Sequence, residues 1–321
     1  MQKNKKILVL GGAGFIGFYL CKDLSRQNKI YIIDDLQKHK KKIDKHFKKL
    51  ISQKNIKFIE KDISEVKPGQ LPKDFDYIFD FAATLGVEKV IKSSFFTLSN
   101  NLKLTFKAIE IAKNQKNLKK IFFASSSEIY DGGGKIYKQK YPSKEFYPIT
   151  VTDLNHKRTV YVISKLTAEI MYINSGLPYV IGRLHNVYGP RMGFKHVIPE
   201  LIRKFLSKNK IVEVFSPTHS RTFCYYSDAI KIIKTITFDS KIKRDTYNIG
   251  NPSGEIKIKN LVKKISQLIN VKKKIKFIKD THNSPKRRLP DMEKTKKHFN
   301  KLNFKNLDFG INKIYLEQKI K

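Results

Sequence analysis

The sequence has no tryptophan, only two cysteines, and no apolar run as long as a membrane span. Cys21 and Cys224 are too few for a disulfide framework or a cysteine-based zinc site, so we expect free thiols in a reducing compartment. A bilayer-crossing helix needs roughly 18–20 apolar residues in a row, so no membrane insertion is expected. The eight histidines show no metal-ligand spacing, so no metal is expected. These absences favour a cytoplasmic protein.

Arginine and acidic residues are also scarce. The 321 residues include 66 Lys+Arg against 28 Asp+Glu, a net charge of +38, yet only nine of the basic residues are arginine. Nucleic-acid sites favour arginine for its bidentate fork, so we interpret the lysine excess as compositional and expect no nucleic-acid partner. An RNA-binding or dinucleotide-binding protein without turnover stays open as an alternative.

What is present is an alternation of strand and helix patterns. Apolar runs typical of buried strands occur at Lys6–Leu10, Lys29–Leu36, Ile56–Glu60, Tyr77–Ala82, Lys120–Ala124 and Pro178–Arg183. Helical patterns lie between them, and shorter mixed elements follow. This order predicts an α/β fold with a Rossmann-type doubly wound parallel sheet and a smaller mixed α/β part at the C-terminal end. We place the boundary near residue 180 and expect segments near 225–250 to complete the first part.

A glycine motif follows the first strand. Gly11, Gly14 and Gly17 have the spacing that lets a backbone turn tightly and approach a pyrophosphate at a helix N-terminus. Asp34 ends the next strand, where a carboxylate accepts from ribose hydroxyls and repels a 2′-phosphate, which favours NAD over NADP. A flexible glycine loop is the alternative, and a turn cap is the simpler interpretation of neighbouring Asp35.

A second group combines a tyrosine, a lysine and a serine. Tyr161 and Lys165 share one face of a predicted helix, opposite its apolar face, and Ser126 follows the fifth strand. A Tyr/Lys pair at this spacing is also common on protein surfaces, so it is the combination with Ser126 that indicates a catalytic site.

Taken together, the motifs resemble those of extended short-chain dehydrogenase/reductases of the nucleotide-sugar epimerase/dehydratase family. They occur in the family's order over nearly the whole chain: GGAGFIG (11–17), IDDL (33–36), FAA (81–83), SSSEIY (125–130), YVISK (161–165), RLHNVYGPRM (183–192), RTFCYYSD (221–228), YNIGN (247–251) and RRLPD (287–291). Three positions differ from the family pattern: Asp80 stands where histidine is frequent, and Leu104 and Asp131 stand where glycine is usual.

The resemblance implies an enzyme that works through a transient 4-keto sugar with bound NAD. Tyr161 would be the base, as a phenolate stabilised by Lys165 and the nicotinamide cation. Lys165 would also hold the nicotinamide ribose, and Ser126 the 4-hydroxyl of the sugar. Glu128 would act as an acid/base at C5 or position a water, with a solvated carboxylate as the alternative.

The resemblance also implies binding residues and a homodimer. The implied NAD contacts are Gly11, Gly14, Phe15, Ile16, Gly17, Asp34, Asp62, Ile63, Ala82 and Lys165. The implied nucleotide-sugar contacts are Asn186, Arg191, Arg221 and Arg288, with Arg183 nearby at the end of the sixth strand. Residues 1–180 would then bind NAD and 181–321 mainly the nucleotide sugar. Dimerisation would use helices near Val87–Lys113 and Val160–Ser175.

The net reaction stays open between C4 epimerisation, 4,6-dehydration and decarboxylation. Glu128 is typical of 4,6-dehydratases and of UDP-glucuronate decarboxylases. The long segment that precedes the catalytic tyrosine in those decarboxylases is not evident here. A net NAD-linked reductase is a further alternative, and it would release NADH stoichiometrically.

Overall fold

Seven strands form one sheet in the computed structural model, which describes residues 2–37, 41–84, 93–133, 140–279 and 285–319. These strands are β1 (Lys6–Leu10), β2 (Lys29–Asp34), β3 (Ile56–Glu60), β4 (Tyr77–Asp80), β5 (Lys120–Ser126), β6 (Tyr179–Leu184) and β11 (Arg244–Ile249). They lie in the order β3-β2-β1-β4-β5-β6-β11, with parallel pairing among β1 to β5. The direction of winding reverses between β1 and β4, and such a switch point is where open α/β sheets bind ligands. The prediction of a doubly wound Rossmann-type sheet is confirmed.

Helices alternate with these strands. They are α1 (Phe15–Leu24), α2 (Lys45–Ile51), α3 (Ser94–Lys113), α4 (Thr159–Ile173), α5 (Val197–Leu206), α6 (Tyr226–Phe238), α7 (Ile258–Leu268), α8 (Glu293–Lys296) and α9 (Leu307–Lys319). Residues 87–92 of the predicted helix at Val87–Lys113 lie outside the described residues. In the described part of that prediction the helix begins at Ser94, after its N-cap Ser93. Among the described residues, no helix is long and apolar enough to cross a bilayer.

The chain divides into two units. The first contains Met1–Ile129, Val151–Arg183 and Ile230–Tyr247, and the second contains Tyr130–Thr150, Leu184–Ala229 and Asn248–Lys321. Short strands characterise the second unit: β7 (Val187–Tyr188), β8 (Ile211–Phe215), β9 (Ser220–Arg221), β10 (Cys224–Tyr225), β12 (Ile256–Lys257), β13 (Lys274–Ile278) and β14 (Arg287–Arg288). The assignment of the first part to NAD and the second to the nucleotide sugar stays a prediction.

The core of the first unit lies between the sheet and helices α3 and α4. Its fully or nearly buried side chains include Leu8, Leu10, Ile78, Ile121, Phe123, Leu104, Ala108, Ile111, Ala168 and Tyr172. The side of α4 that is buried carries Ser164, Lys165 and Glu169, whereas Ile170 and Ile173 are exposed. The apolar face that the sequence shows on this helix is therefore not the face that packs into the core.

The glycine loop is crowded by its own backbone. Gly11 has a φ of +74°, which favours glycine. A Cβ at Gly17 would lie 2.5 Å from the carbonyl oxygen of Gly11 and 2.9 Å from the Cα of Gly12. The turn between β1 and α1 therefore has this shape only because a glycine stands at position 17.

We predict that Gly17→Ala lowers the free energy of unfolding by about 1–3 kcal/mol, because backbone must move to admit the methyl group. Gly69→Ala is the matched control, since a Cβ at Gly69 meets nothing within 4 Å. Urea unfolding of both variants and of the wild type measures the difference. Equal stability of the two variants would show that the loop is not constrained at this position.

Candidate active site

The loop after β1 and the end of β2 are joined by Asp34. Its carboxylate accepts hydrogen bonds from the backbone N–H groups of Ala13 (3.0 Å) and Leu36 (2.9 Å). Asp35 accepts from the N–H of Gln37 (3.0 Å), which is the turn role expected for it. The first helical residues are Phe15 and Ile16, and the N-cap residue in front of them is Gly14, which has no side chain to cap the helix.

These residues suit a dinucleotide. A Cβ at Gly11 would lie 3.0 Å from the backbone nitrogen of Ala82, so the loop approaches the end of β4 without intervening side-chain atoms. Asp62 accepts from the N–H of Ser64 (2.8 Å), and Ile63 is buried in the core. A glycine at the helix N-cap, side-chain-free backbone and a carboxylate after β2 fit the phosphates and ribose of NAD.

Ser126, Glu128 and the start of α4 come together at the end of β5. The N–H of Glu128 donates to Ser126 Oγ (3.2 Å), and the Glu128 carboxylate pairs with Arg158 Nη2 (2.8 Å). The N–H of Tyr161 donates to the carbonyl oxygen of Arg158 (3.1 Å) in the first turn of the helix. Three of the predicted catalytic residues thus share one neighbourhood.

Glu128 is not the solvated carboxylate of the alternative interpretation. Its side chain is 19% exposed and that of Arg158 is 15% exposed. Arg158 was not among the predicted site residues. The available signal was the scarcity of arginine combined with its position three residues before Tyr161.

Lys165, one helical turn after Tyr161, is buried. Its ammonium donates to the carbonyl oxygen of Ala124 (2.8 Å) and lies 4.7 Å from the ring centroid of Phe123. Burial lowers the pKa of Lys165 to about 8, and the charges of Asp80 and Glu169 oppose that shift. The amine therefore stays mostly protonated at neutral pH.

Two buried acidic groups lie near Lys165. Tyr172 donates its hydroxyl hydrogen to Asp80 (2.7 Å), and Ser125 hydrogen-bonds to Glu169. The Glu169 carboxylate also accepts from Arg183, at 3.1 Å from Nε and 2.8 Å from Nη2. Arg183, at the end of the sixth strand, therefore belongs to a buried ion pair.

In the second unit, Arg221 and Arg288 are adjacent residues of a parallel strand pair. Arg221 is 8% exposed and donates to the carbonyl oxygens of Ser220 and Pro285, both at 2.7 Å. Arg288 pairs with Asp131, with Nε at 3.1 Å from the carboxylate. Neither is a freely solvated surface arginine.

Asn186 and Arg191 lie elsewhere in the second unit. Asn186 Nδ2 donates to the carbonyl oxygen of Thr222 (3.0 Å), and the backbone N–H of Arg191 donates to Glu317 (3.0 Å). Both residues have positive φ angles, 40° and 66°. In the described ranges, no group of three or more His, Cys, Asp or Glu side chains is arranged to hold a metal ion.

The chain is similar to enzymes with related activities. It is 30% identical over 279 residues to the UDP-N-acetyl-alpha-D-glucosaminuronate decarboxylase of Bacillus cytotoxicus, covering 85% of this chain and 83% of that protein. It is 29% identical over 304 residues to UDP-glucuronic acid decarboxylase 5 of Arabidopsis thaliana, covering 92% and 84%.

Among solved structures, the UDP-glucuronic acid 4-epimerase of Bacillus cereus, in complex with UDP-glucuronic acid and NAD, superposes with a TM-score of 0.85. It is 26% identical, with 98% of this chain and 99% of that chain covered. These similarities confirm the predictions of an enzyme, of NAD as cofactor and of nucleotide-sugar chemistry. The family model for NAD-dependent epimerases and dehydratases matches residues 7–250. The chain therefore belongs to the NAD-dependent epimerase/dehydratase family.

Proposed function

We propose that this enzyme decarboxylates a UDP-linked uronic acid through a transient 4-keto sugar. The observation that carries the proposal is the Glu128–Arg158 ion pair beside Ser126 and the turn of Tyr161. A guanidinium has several N–H donors and can pair with two carboxylates at once. Arg158 is thus suited to a sugar whose C6 is a carboxylate. The similarity to decarboxylases and an epimerase of UDP-uronic acids supports the same substrate class.

The residues would divide the chemistry as follows. Ser126 holds the 4-hydroxyl of the sugar, and the phenolate of Tyr161 removes its proton while Lys165 stabilises that phenolate. Bound NAD would supply the hydride chemistry at C4. A ketone at C4 makes the C6 carboxylate a β-keto acid, so carbon dioxide leaves and a proton must be delivered to C5. Glu128 would position the water or supply that proton.

The remaining contacts complete the proposal. NAD would be held by the loop of Gly11, Gly14 and Gly17, by Asp34, and by the predicted contacts on Phe15, Ile16, Asp62, Ile63, Ala82 and Lys165. The pyrophosphate would be held by Asn186, Arg191, Arg221 and Arg288.

Because the thiols of Cys21 and Cys224 are free and buried, we also propose a cytoplasmic location.

We predict that the NAD-loaded protein releases carbon dioxide from UDP-glucuronate or UDP-N-acetylglucosaminuronate but leaves UDP-glucose and UDP-N-acetylglucosamine unchanged. Mass spectrometry of the products distinguishes the outcomes.

Tyr161→Phe should reduce turnover by about 10²–10⁴-fold while retaining NAD, because it removes the proton-transfer group only. Unchanged mass with inverted stereochemistry would replace decarboxylation by epimerisation, and loss of water from a neutral hexose would replace it by dehydration.

Arg158→Gln tests the role of the guanidinium within the same experiment. Loss of one charge-assisted contact should raise KM for the uronic acid by about 10–100-fold. Arg244→Gln is the matched control, because Arg244 is exposed and donates to the carbonyl oxygen of Leu177 (3.1 Å). An unchanged KM in Arg158→Gln would remove the carboxylate-binding role from this residue.

We further propose that the enzyme is a homodimer that pairs through α3 and α4. These helices pack against each other in the first unit and expose several large apolar side chains: Phe95, Phe96, Phe106, Ile170 and Ile173. Phe95 and Phe106 lie on one face of α3 at helical spacing. Burial of these side chains against a second copy would remove a contiguous apolar surface from water.

We predict that Phe106→Glu converts the dimer to a monomer, because a charge would then be buried in the apolar interface. Phe146→Glu is the control, because Phe146 is 78% exposed but lies outside both helices. Sedimentation equilibrium of both variants measures the molecular mass. A monomeric wild type, or a dimeric Phe106→Glu variant, would contradict the assignment of this face.

A further inference from the structure

Asp80 is a buried carboxylate at the carboxyl end of β4. It is 1% exposed and accepts hydrogen bonds from the hydroxyl of Tyr172 (2.7 Å) and the N–H of Ala82 (3.0 Å). Both donors are neutral, so neither balances the charge of the ionised carboxylate. An unbalanced buried carboxylate is costly, so its nearest cation matters for the stability of the charged form.

Asp80 stands opposite Phe123 in the register of β4 and β5, and the ammonium of Lys165 lies 4.7 Å from the ring centroid of Phe123. Among the described residues, Lys165 is thus a cation within electrostatic reach of Asp80. Lys165 is also reached by Glu169, one turn further along α4. Glu169, however, is already paired with Arg183 on β6 through both carboxylate oxygens. The same helix also carries the phenols of Tyr161 and Tyr172, and Tyr172 donates its hydroxyl hydrogen to Asp80.

We propose that Asp80 is the counter-charge that keeps Lys165 protonated, and hence a positioning residue for the reaction. The proposal rests on the function assigned above to Tyr161 and Lys165. Glu169 cannot replace Asp80, because the guanidinium of Arg183 offsets its charge. Asp80 acts through Lys165, since the ammonium that it stabilises is the group that would favour the phenolate of Tyr161.

The ionisation of the two groups fits this role. Burial raises the pKa of Asp80 to about 6, against the opposing effects of Tyr172 and Lys165. Burial lowers the pKa of Lys165 to about 8. Between these values Asp80 is ionised and Lys165 is protonated. Removal of the Asp80 charge would lower the pKa of Lys165 further, so the amine would lose its proton closer to neutral pH.

The test is a titration of Lys165 itself. Protein labelled with ¹³C at the lysine ε-carbons is titrated by NMR, with and without added NAD. The resonance is assigned by its loss in Lys165→Met, and the Phe123 ring should displace it from other lysines. We expect the pKa of Lys165 to fall by about one unit in Asp80→Asn, which keeps the shape of the side chain but not its charge.

Tyr172→Phe is the matched control. It removes the hydroxyl that donates to Asp80 but leaves the carboxylate in place, so the Lys165 titration should stay within about 0.3 units of the wild type. If Asp80→Asn does not fold, the double variant Asp80→Asn/Tyr172→Phe is compared with Tyr172→Phe instead, because it leaves no phenol facing an amide. An unchanged Lys165 titration after loss of the Asp80 charge overturns the proposal.

Turnover gives an independent readout. With the sugar that the wild type converts, the alkaline limb of the kcat/KM profile should move to lower pH by the same amount in Asp80→Asn and stay in place in Tyr172→Phe. The NMR titration needs no substrate, so its failure is distinct from a failure of the proposed function. That function fails if Tyr161→Phe remains active or if no UDP-uronic acid is converted.

Discussion

A protonated amine buried inside the first unit determines much of what surrounds it. Lys165 is 4% exposed, and a charge in such a place must be hydrogen-bonded and balanced. The carbonyl oxygen of Ala124 supplies the hydrogen bond and fixes α4 against β5. The end of β4 supplies Asp80, and the helix supplies Glu169, whose own charge is offset by Arg183 on β6. One lysine thereby relates three neighbouring strands to one helix.

The need to hydrogen-bond and balance the buried charge of Lys165 explains why the apolar side of α4 does not face the core. In most amphipathic helices the apolar stripe faces the core and the polar side faces water. Here Lys165 and Glu169 face the sheet, so Ile170 and Ile173 are left outside. The same orientation that buries the amine one helical turn from the proposed base leaves an apolar surface that a second copy would cover. Catalysis and assembly would then be two consequences of one helix orientation.

The sheet could be predicted from sequence because its signals are local. Apolar runs, the glycine spacing and Asp34 identify β1, the loop and β2 without reference to the rest of the chain. The ion pairs could not be predicted from sequence, because their partners lie far apart along the chain. Arg158 pairs with Glu128, and Arg288 with Asp131, only once the chain has folded. Glu169 lies four residues after Lys165, so the sequence indicates that both residues are on the same face of α4. The sequence does not indicate that Glu169 pairs with Arg183.

Arginine is scarce in this chain, and its placement differs from that of lysine. Arg158, Arg183 and Arg288 all pair with carboxylates in places where their side chains are less than one-sixth exposed, at 15%, 7% and 13%. Several lysine ion pairs are more open, as in Lys276–Glu213, where both partners are about half exposed. A planar fork keeps its geometry when desolvated, whereas an ammonium prefers water. The net charge of +38 is therefore mostly a property of the surface.

The cations that would act on a substrate carboxylate or pyrophosphate are a separate, small population. Arg158 and Arg288 are held by acidic partners, and Arg221 by backbone carbonyl oxygens, so the orientation of these three side chains does not have to be established during binding.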